Sequence, residues 1–332
     1  MRVLIVLPGA IGDVVRALPL LGRIRRGRPE AHIAWVVEPP SAPLLEPHPW
    51  LNEAIVFQRR DGLRAVAPLV RRLRDGRYHV ALDLGRGAKS ALLARASGAP
   101  VRVGFARTDA REGSWLLATQ RLPPQGTDRP KLEQFLSFGD ALGLPTMPAE
   151  FGLMPTAEEA AQADALLAGL PRPVVAACIG SSCPARRWLP ERTAAALDVV
   201  LRRLRGGAIL LGTSADAAFG AQVARASRGA VRDLVGRTSL RQLTALVGRC
   251  ALAFGPDSGA LHLAAAMGTP VVSLWGATSA ARSAPFGWER LAVQGVSPCA
   301  PCFLRECPIG RVCMHSITVD MVVEKAAQVL AA

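Results

Sequence analysis

Apolar residues along this chain fall into short continuous runs, each followed by a longer stretch in which they recur with helical spacing. In the first half the runs at 2–7, 32–37, 53–57, 80–84 and 101–105 predict strands, and the periodic stretches at 13–26, 62–75, 88–97 and 129–142 predict helices. The stretch 142–155 holds three prolines and little periodicity, and reads as a linker. The alternation then restarts. Helices are predicted over 157–168, 190–205, 216–227, 239–248, 258–267 and 318–331, with strands over 173–178, 207–212, 250–254 and 270–275. Strands separated by helices require crossovers, so the pattern predicts α/β architecture with parallel sheets. A chain of 332 residues exceeds the size at which one core usually divides. Two doubly wound, Rossmann-like domains facing across a cleft are expected, over 1–150 and 151–332. Ligands in such sheets bind beyond the carboxyl ends of the strands. That directs attention to the loops at 9–13, 83–89, 180–188, 212–216, 255–262 and 276–278.

Composition changes this picture in a few places. Twenty-four residues between Asp257 and Arg282 carry no charge except on His262, long enough to span a bilayer. Met267-Gly268-Thr269-Pro270 divides them, so a buried helix followed by a buried strand is expected. The N-terminal apolar run spans only six residues, and Asp13 stands where a signal-peptide cleavage region would lie. A cytoplasmic protein is expected. The net charge of +14 comes from 37 arginines and three lysines (Lys89, Lys131, Lys325) against 26 acids. Arginine clusters at 23–28, 71–77 and 202–205 read either as solvated helix faces or as a surface for an anionic partner. Nucleic acid is not expected, since no binding-module signature occurs and one tyrosine leaves little for base stacking. Cys299, Cys302, Cys307 and Cys313 form C-x2-C-x4-C-x5-C. In a cytosolic chain that makes structural zinc a candidate, although the spacing matches no standard knuckle and reduced thiols in a tight loop are the favoured reading.

Two loops carry the most informative chemistry. In Pro8-Gly9-Ala10-Ile11-Gly12-Asp13 a strand feeds a glycine turn and a helix, but the third glycine of a dinucleotide fingerprint is missing. G-x-G-x-x-G is absent from both halves, which disfavours a nicotinamide-dependent dehydrogenase. Asp13 at a helix start is either a capping carboxylate or a general base at the mouth of a cleft. In Gly255-Pro256-Asp257-Ser258-Gly259 a strand ends and a helix opens with a glycine in its first turn. Free amides there would accept an anion, and His262 shares the helix face of Ser258. The plain alternative makes Asp257 an N-cap and His262 a half-buried core residue. Arg186 and Arg187 could clamp a phosphate or form a solvated pair. Asp216 opens a helix as a cap or as a ribose ligand.

These loops resemble those of the ADP-heptose:lipopolysaccharide heptosyltransferases of glycosyltransferase family 9, which have the GT-B fold. The resemblance runs through "GAIGDVVRALPLL", "WVVEP", "LDLGRGAKSALL", "RRWLP", "GPDSGALHLAAAMGTPVVSLWGATS", the cysteine segment and "ITVDMV". It implies an inverting transfer of heptose from ADP-heptose to Kdo or a first heptose of the lipopolysaccharide inner core, with Asp13 as general base. Arg186, Arg187, Asp216, Asp257, Ser258, Gly259 and His262 would then hold the donor. Gly12, Lys89 and Arg111 would lie on the acceptor side, near a Kdo or lipid A anion. Asp216 stands where the family usually has glutamate, and Arg186 where it commonly has lysine. The resemblance implies no catalytic metal, peripheral contact with the anionic inner face of the inner membrane, and a last helix that could pack back on the N-terminal domain. Another nucleotide sugar or acceptor, or a non-catalytic nucleotide-sugar-binding role, is the alternative.

Overall fold

The computed structural model describes residues 1–58 and 62–330. It divides into two compact units, Met1–Met154 and Pro155–Ala332. In the first, strands β1 (Arg2–Val6), β2 (His32–Val37), β3 (Glu53–Val56), β4 (Val80–Asp83), β5 (Val101–Gly104) and β6 (Gln120–Arg121) are joined through helices α1 (Ile11–Gly27), α2 (Leu63–Asp75) and α3 (Ala88–Ala96). Helix α4 (Lys131–Ala141) follows β6. The sheet order is β3-β2-β1-β4-β5-β6, and every pairing is parallel. Val3–Val6 of β1 are fully buried, as a strand covered by helices on both faces must be.

Helices α1 and α4 lie side by side and run in the same direction. Arg23, at the C-terminal end of α1, fixes this alignment. Its guanidinium donates to the carbonyls of Leu136, Leu144 and Pro145 and to Asp140 Oδ1, at 2.5–2.8 Å. Arg23 is only 3% exposed, and a Cβ on Gly139 would come within 2.8 Å of it. Arg25 reaches the carbonyls of Ala31 and Trp50, and Arg26 pairs with Glu150. The arginines at 23, 25 and 26 are therefore structural ties rather than a solvated face. Residues 144–152 of the proline-rich stretch belong to this network, and so pack on the first unit.

The second unit repeats the plan. Helix α5 (Ala157–Leu167) leads into β7 (Val174–Cys178), α6 (Pro190–Leu204), β8 (Gly207–Leu211), α7 (Ala217–Ala226), β9 (Ala230–Asp233), α8 (Leu240–Val247), β10 (Leu252–Pro256), α9 (Gly259–Ala266) and β11 (Val271–Trp275). A short α10 (Ala280–Ser283), β12 (Val293–Gln294), α11 (Val312–His315) and α12 (Val319–Leu330) complete it. The parallel order is β12-β11-β10-β7-β8-β9, the same winding as in the first unit. Val322, Val323 and Ala326 of α12 join this unit's own core with Leu197 and Val200 of α6. Position 331, where the pattern ends this helix, lies outside the described residues.

The uncharged stretch after Asp257 forms α9 and β11, and none of the described helices is long and apolar enough to cross a membrane. Three strands escape the hydrophobic pattern: β6, β9 and β12. All are outermost in their sheets, and Gln120-Arg121 and Val293-Gln294 are too short to give an apolar run. Gly255, next to last in β10, has φ +154°, and a Cβ there would lie 2.0 Å from the Cys178 carbonyl oxygen of β7. Gly255→Ala should cost about 3 kcal/mol from backbone strain and overpacking. Calorimetry should show that as a fall of about 6–10 °C in Tm. An unchanged Tm would contradict this packing.

Candidate active site

Strand order reverses beside β1 in the first unit and beside β7 in the second. The loops leaving β1 and β4, and those leaving β7 and β10, therefore diverge and leave room for a ligand. These are the loops that carry Asp13 and Lys89 in one unit, and Arg186, Arg187, Asp257 and Ser258 in the other.

Helix α1 starts at Ile11, with Ala10 as its N-cap, so Asp13 lies in the first turn and is not the capping residue. Its Oδ1 receives Arg16 Nη1 at 2.8 Å and Lys131 Nζ at 2.9 Å. The Asp13 side chain is 28% exposed. Gly12 is buried in the same turn. Lys89, on α3, donates to the Pro8 carbonyl at 3.1 Å and to Glu38 Oε1 at 2.6 Å. It thus spans the ends of β2, β1 and β4. Arg111 is exposed, while its backbone amide donates to the Arg86 carbonyl at 2.6 Å. Glu112 accepts the Ala88 amide at the start of α3 at 2.9 Å.

Below this loop lies a carboxyl that the motif reading passed over. Asp83 closes β4, is 6% exposed, and accepts the Gly85 amide at 3.1 Å. Burial pushes it up from 3.8 to about 7, against smaller downward pulls from hydrogen bonds with Ser90 and Gly85. The available signal was a carboxylate ending the otherwise apolar run Val80-Ala81-Leu82. Lys131 was also missed. Its signal was lysine usage, since it is one of only three in a chain with 37 arginines.

In the second unit, successive side chains of the loop after β7 diverge toward the two neighbouring strands. Arg186 Nη1 lies 2.9 Å from Asp257 Oδ2, at the end of β10, and Arg187 Nη2 lies 2.7 Å from Asp216 Oδ1, beyond β8. Neither arginine is a free solvated residue. Asp257 also accepts the Thr278 hydroxyl at 2.9 Å, so its carboxylate serves the loop network, and Ser258 occupies the N-cap position. Asp216 is 3% exposed and accepts the amide and hydroxyl of Thr213 at 3.0 and 2.7 Å. Its carboxylate closes its own turn as well as pairing with Arg187.

Helix α9 begins at Gly259, and no side chain caps it. Ser258 Oγ, Arg186 Nε and Arg187 Nε are buried without a hydrogen-bond partner among the described residues. The orphaned Ser258 and Arg186 donors beside an uncapped helix N-terminus suit an anion, while the Arg187 donor lies on the β8 side of the same loop. His262 is buried on α9 at 4% exposure.

The cysteine segment braces these loops. The Ala185 amide donates to the Arg305 carbonyl at 3.0 Å, and Arg311 Nη1 to the Arg187 carbonyl at 2.9 Å. The Phe303 amide donates to the Ala277 carbonyl at 2.7 Å. Cys299 is exposed, Cys302 and Cys307 are half-buried, and Cys313 is buried, with its thiol pushed up chiefly by that burial. Among the described residues no three His, Cys, Asp or Glu side chains are arranged to hold a metal ion.

The model of glycosyltransferase family 9 (heptosyltransferase) matches residues 66–313. The chain belongs to this family. It is a glycosyltransferase, with two doubly wound units of the GT-B class. The lipopolysaccharide core heptosyltransferase OpsX of Haemophilus influenzae is 25% identical over 280 residues, covering 83% of this chain and 79% of that protein. Lipopolysaccharide heptosyltransferase 2 of Escherichia coli is 27% identical over 298 residues, covering 84% of each. The family 9 glycosyltransferase structure from Veillonella parvula superposes with a TM-score of 0.87 at 21% identity, covering 99% of this chain and 97% of that one. The E. coli heptosyltransferase WaaC with ADP gives 0.78 at 19% identity, covering 99% of each chain.

The buried Asp83 makes this family 9 fold sensitive to pH. The unfolded carboxyl ionises near 3.8 and the folded one near 7, so the folded state binds more protons between those values and stability falls as pH rises through them. Asp83→Asn does not titrate. Its Tm advantage over wild type should grow between about pH 5 and about pH 8. A constant difference would show that Asp83 is ionised in the folded protein throughout.

Proposed function

We infer that the chain transfers heptose from ADP-heptose to the lipopolysaccharide inner core, on Kdo or an attached heptose, with inversion at the anomeric carbon. The observation that carries this reading is the uncapped N-terminus of α9 with the orphaned Ser258 and Arg186 donors beside it, and the orphaned Arg187 donor on the same loop. Free amides and guanidinium groups suit the diphosphate of a nucleotide sugar. The names of the relatives reported above, lipopolysaccharide heptosyltransferases, support heptose as the sugar and the lipopolysaccharide core as the acceptor class.

In this reading Asp13 takes the proton of an acceptor hydroxyl. The acceptor oxygen forms a bond to the anomeric carbon, and the carbon–oxygen bond to the β-phosphate breaks, so that ADP leaves with the electron pair. The growing charge on ADP is met by the α9 amides, Ser258 and the two arginines. Those groups make a catalytic metal unnecessary. Gly259 allows the diphosphate close to the backbone, and Asp257 orients Arg186. Asp216, shorter than the family's glutamate and with both carboxylate oxygens engaged, serves the donor side by holding Arg187. His262 completes the donor side, and Gly12, Lys89 and Arg111 serve the acceptor anion.

With ADP-heptose and a delipidated Kdo-containing acceptor, product mass should rise by one heptose. Asp13→Asn should lower the rate about 10²–10⁴-fold while leaving ADP affinity intact. Undiminished transfer by the variant would remove Asp13 as the base, and absence of transfer by wild type would remove the substrate assignment.

The same reading places the enzyme at the inner face of the inner membrane. Arg71, Arg72, Arg74 and Arg77, and Arg202, Arg203 and Arg205, contribute exposed charge, and among the described residues only Arg72 of these pairs with a carboxylate, Glu53. Pelleting with phosphatidylglycerol vesicles should be strong in low salt and lost near ~0.5 M NaCl, whereas neutral vesicles should leave the protein in solution. Equal pelleting with both would refute a headgroup attraction.

A further inference from the structure

Lys131 is the first residue of α4, and a helix N-terminus is the least favourable end for a cation. It is 118 positions away in sequence from the carboxylate it meets. The parallel packing of α1 and α4, fixed at their far ends by Arg23, brings the first turns of both helices together. Lys131 Nζ then lies 2.9 Å from Asp13 Oδ1, with Arg16 Nη1 at 2.8 Å on the same oxygen. The pair is about a quarter exposed, 27% for Lys131 and 28% for Asp13, so it opens to a substrate rather than lying in the core.

The choice of residue is informative. The chain uses arginine 37 times and lysine three times, yet two of the three lysines, Lys89 and Lys131, stand at the loop that leads into α1. A guanidinium is a rigid planar fork, whereas an ammonium is a compact charge on a flexible stem with three rotatable donors. An ammonium can grip one oxygen of a carboxylate without covering its whole edge.

We propose that Lys131 is the positioning residue for Asp13 in the transfer reaction. Resting on the reading of Asp13 as the base, this means that Lys131 and Arg16 anchor Oδ1 from two different helices. The carboxylate is thereby held in one orientation toward the acceptor hydroxyl. Arg16 alone, three residues along the same helix, cannot fix that orientation, because it moves with α1. Lys131 acts through Asp13 and does not touch the donor.

The test compares Lys131→Met, Lys131→Arg, Asp13→Asn and the double variant Asp13→Asn/Lys131→Met in the transfer assay, with ADP affinity measured by calorimetry. Lys131→Met should lower kcat about 10–100-fold, the scale of a misplaced reacting group, with donor KM and ADP affinity within about twofold of wild type. Lys131→Arg should recover kcat to within about fivefold, because it restores the charge but not the fine geometry. The double variant should be no slower than Asp13→Asn, because the two residues act as one unit. A wild-type kcat for Lys131→Met, a change confined to acceptor KM, or losses that multiply in the double variant would each overturn the proposal. Wild-type activity in Asp13→Asn would instead remove the base assignment on which it rests.

Discussion

Parallel strands cannot be joined by tight turns, so every connection in both sheets must cross a face, and right-handed crossovers leave one place where the winding reverses. Both functional regions depend on that constraint. Beside β1 and beside β7, adjacent loops turn away from each other, and side chains there reach neighbouring strand ends without competing for the same space. Arg186 and Arg187 illustrate this most directly. Consecutive residues pair with Asp257 and Asp216, which follow the strands on either side of β7. Divergence of the loops converts an adjacent pair of arginines into two separately anchored donors.

Anchoring matters because a guanidinium that must be ordered when the ligand arrives loses side-chain entropy then. Here Asp257 and Asp216 hold the arginines before any ligand binds, and Thr278 and Thr213 hold the carboxylates in turn. The cysteine segment adds backbone hydrogen bonds to the same loop. The first unit uses the same strategy with the charges exchanged, in that a carboxylate, Asp13, is held by two cations.

The alternation of apolar runs and periodic stretches made both sheets and their functional loops legible, because buried parallel strands are continuous apolar runs. Asp13 and Ser258 stood out as candidates because each closely follows such a run, and Arg186 because it lies in the loop after one. Strands β6, β9 and β12 could not be read that way, since a strand of two residues or one with few buried positions leaves no such run. Arg23 looked like part of a surface cluster, because its burial depends on carbonyls more than a hundred positions away. Lys131 was obscure for the same reason. Long-range polar partners leave no periodic trace, and composition offered only the scarcity of lysine as a hint.

The duplicated winding has a further consequence for how the protein comes apart. Each unit has its own apolar core, with Leu4, Ala34 and Ala81 in one and Val175, Leu210 and Phe254 in the other. The Arg23 ties close within the first unit, and the arginine–carboxylate pairs close within the second. A chain with two separate cores is one for which a single two-state free energy is not the natural description. A ligand bound wholly within one unit would raise the melting temperature of that unit alone.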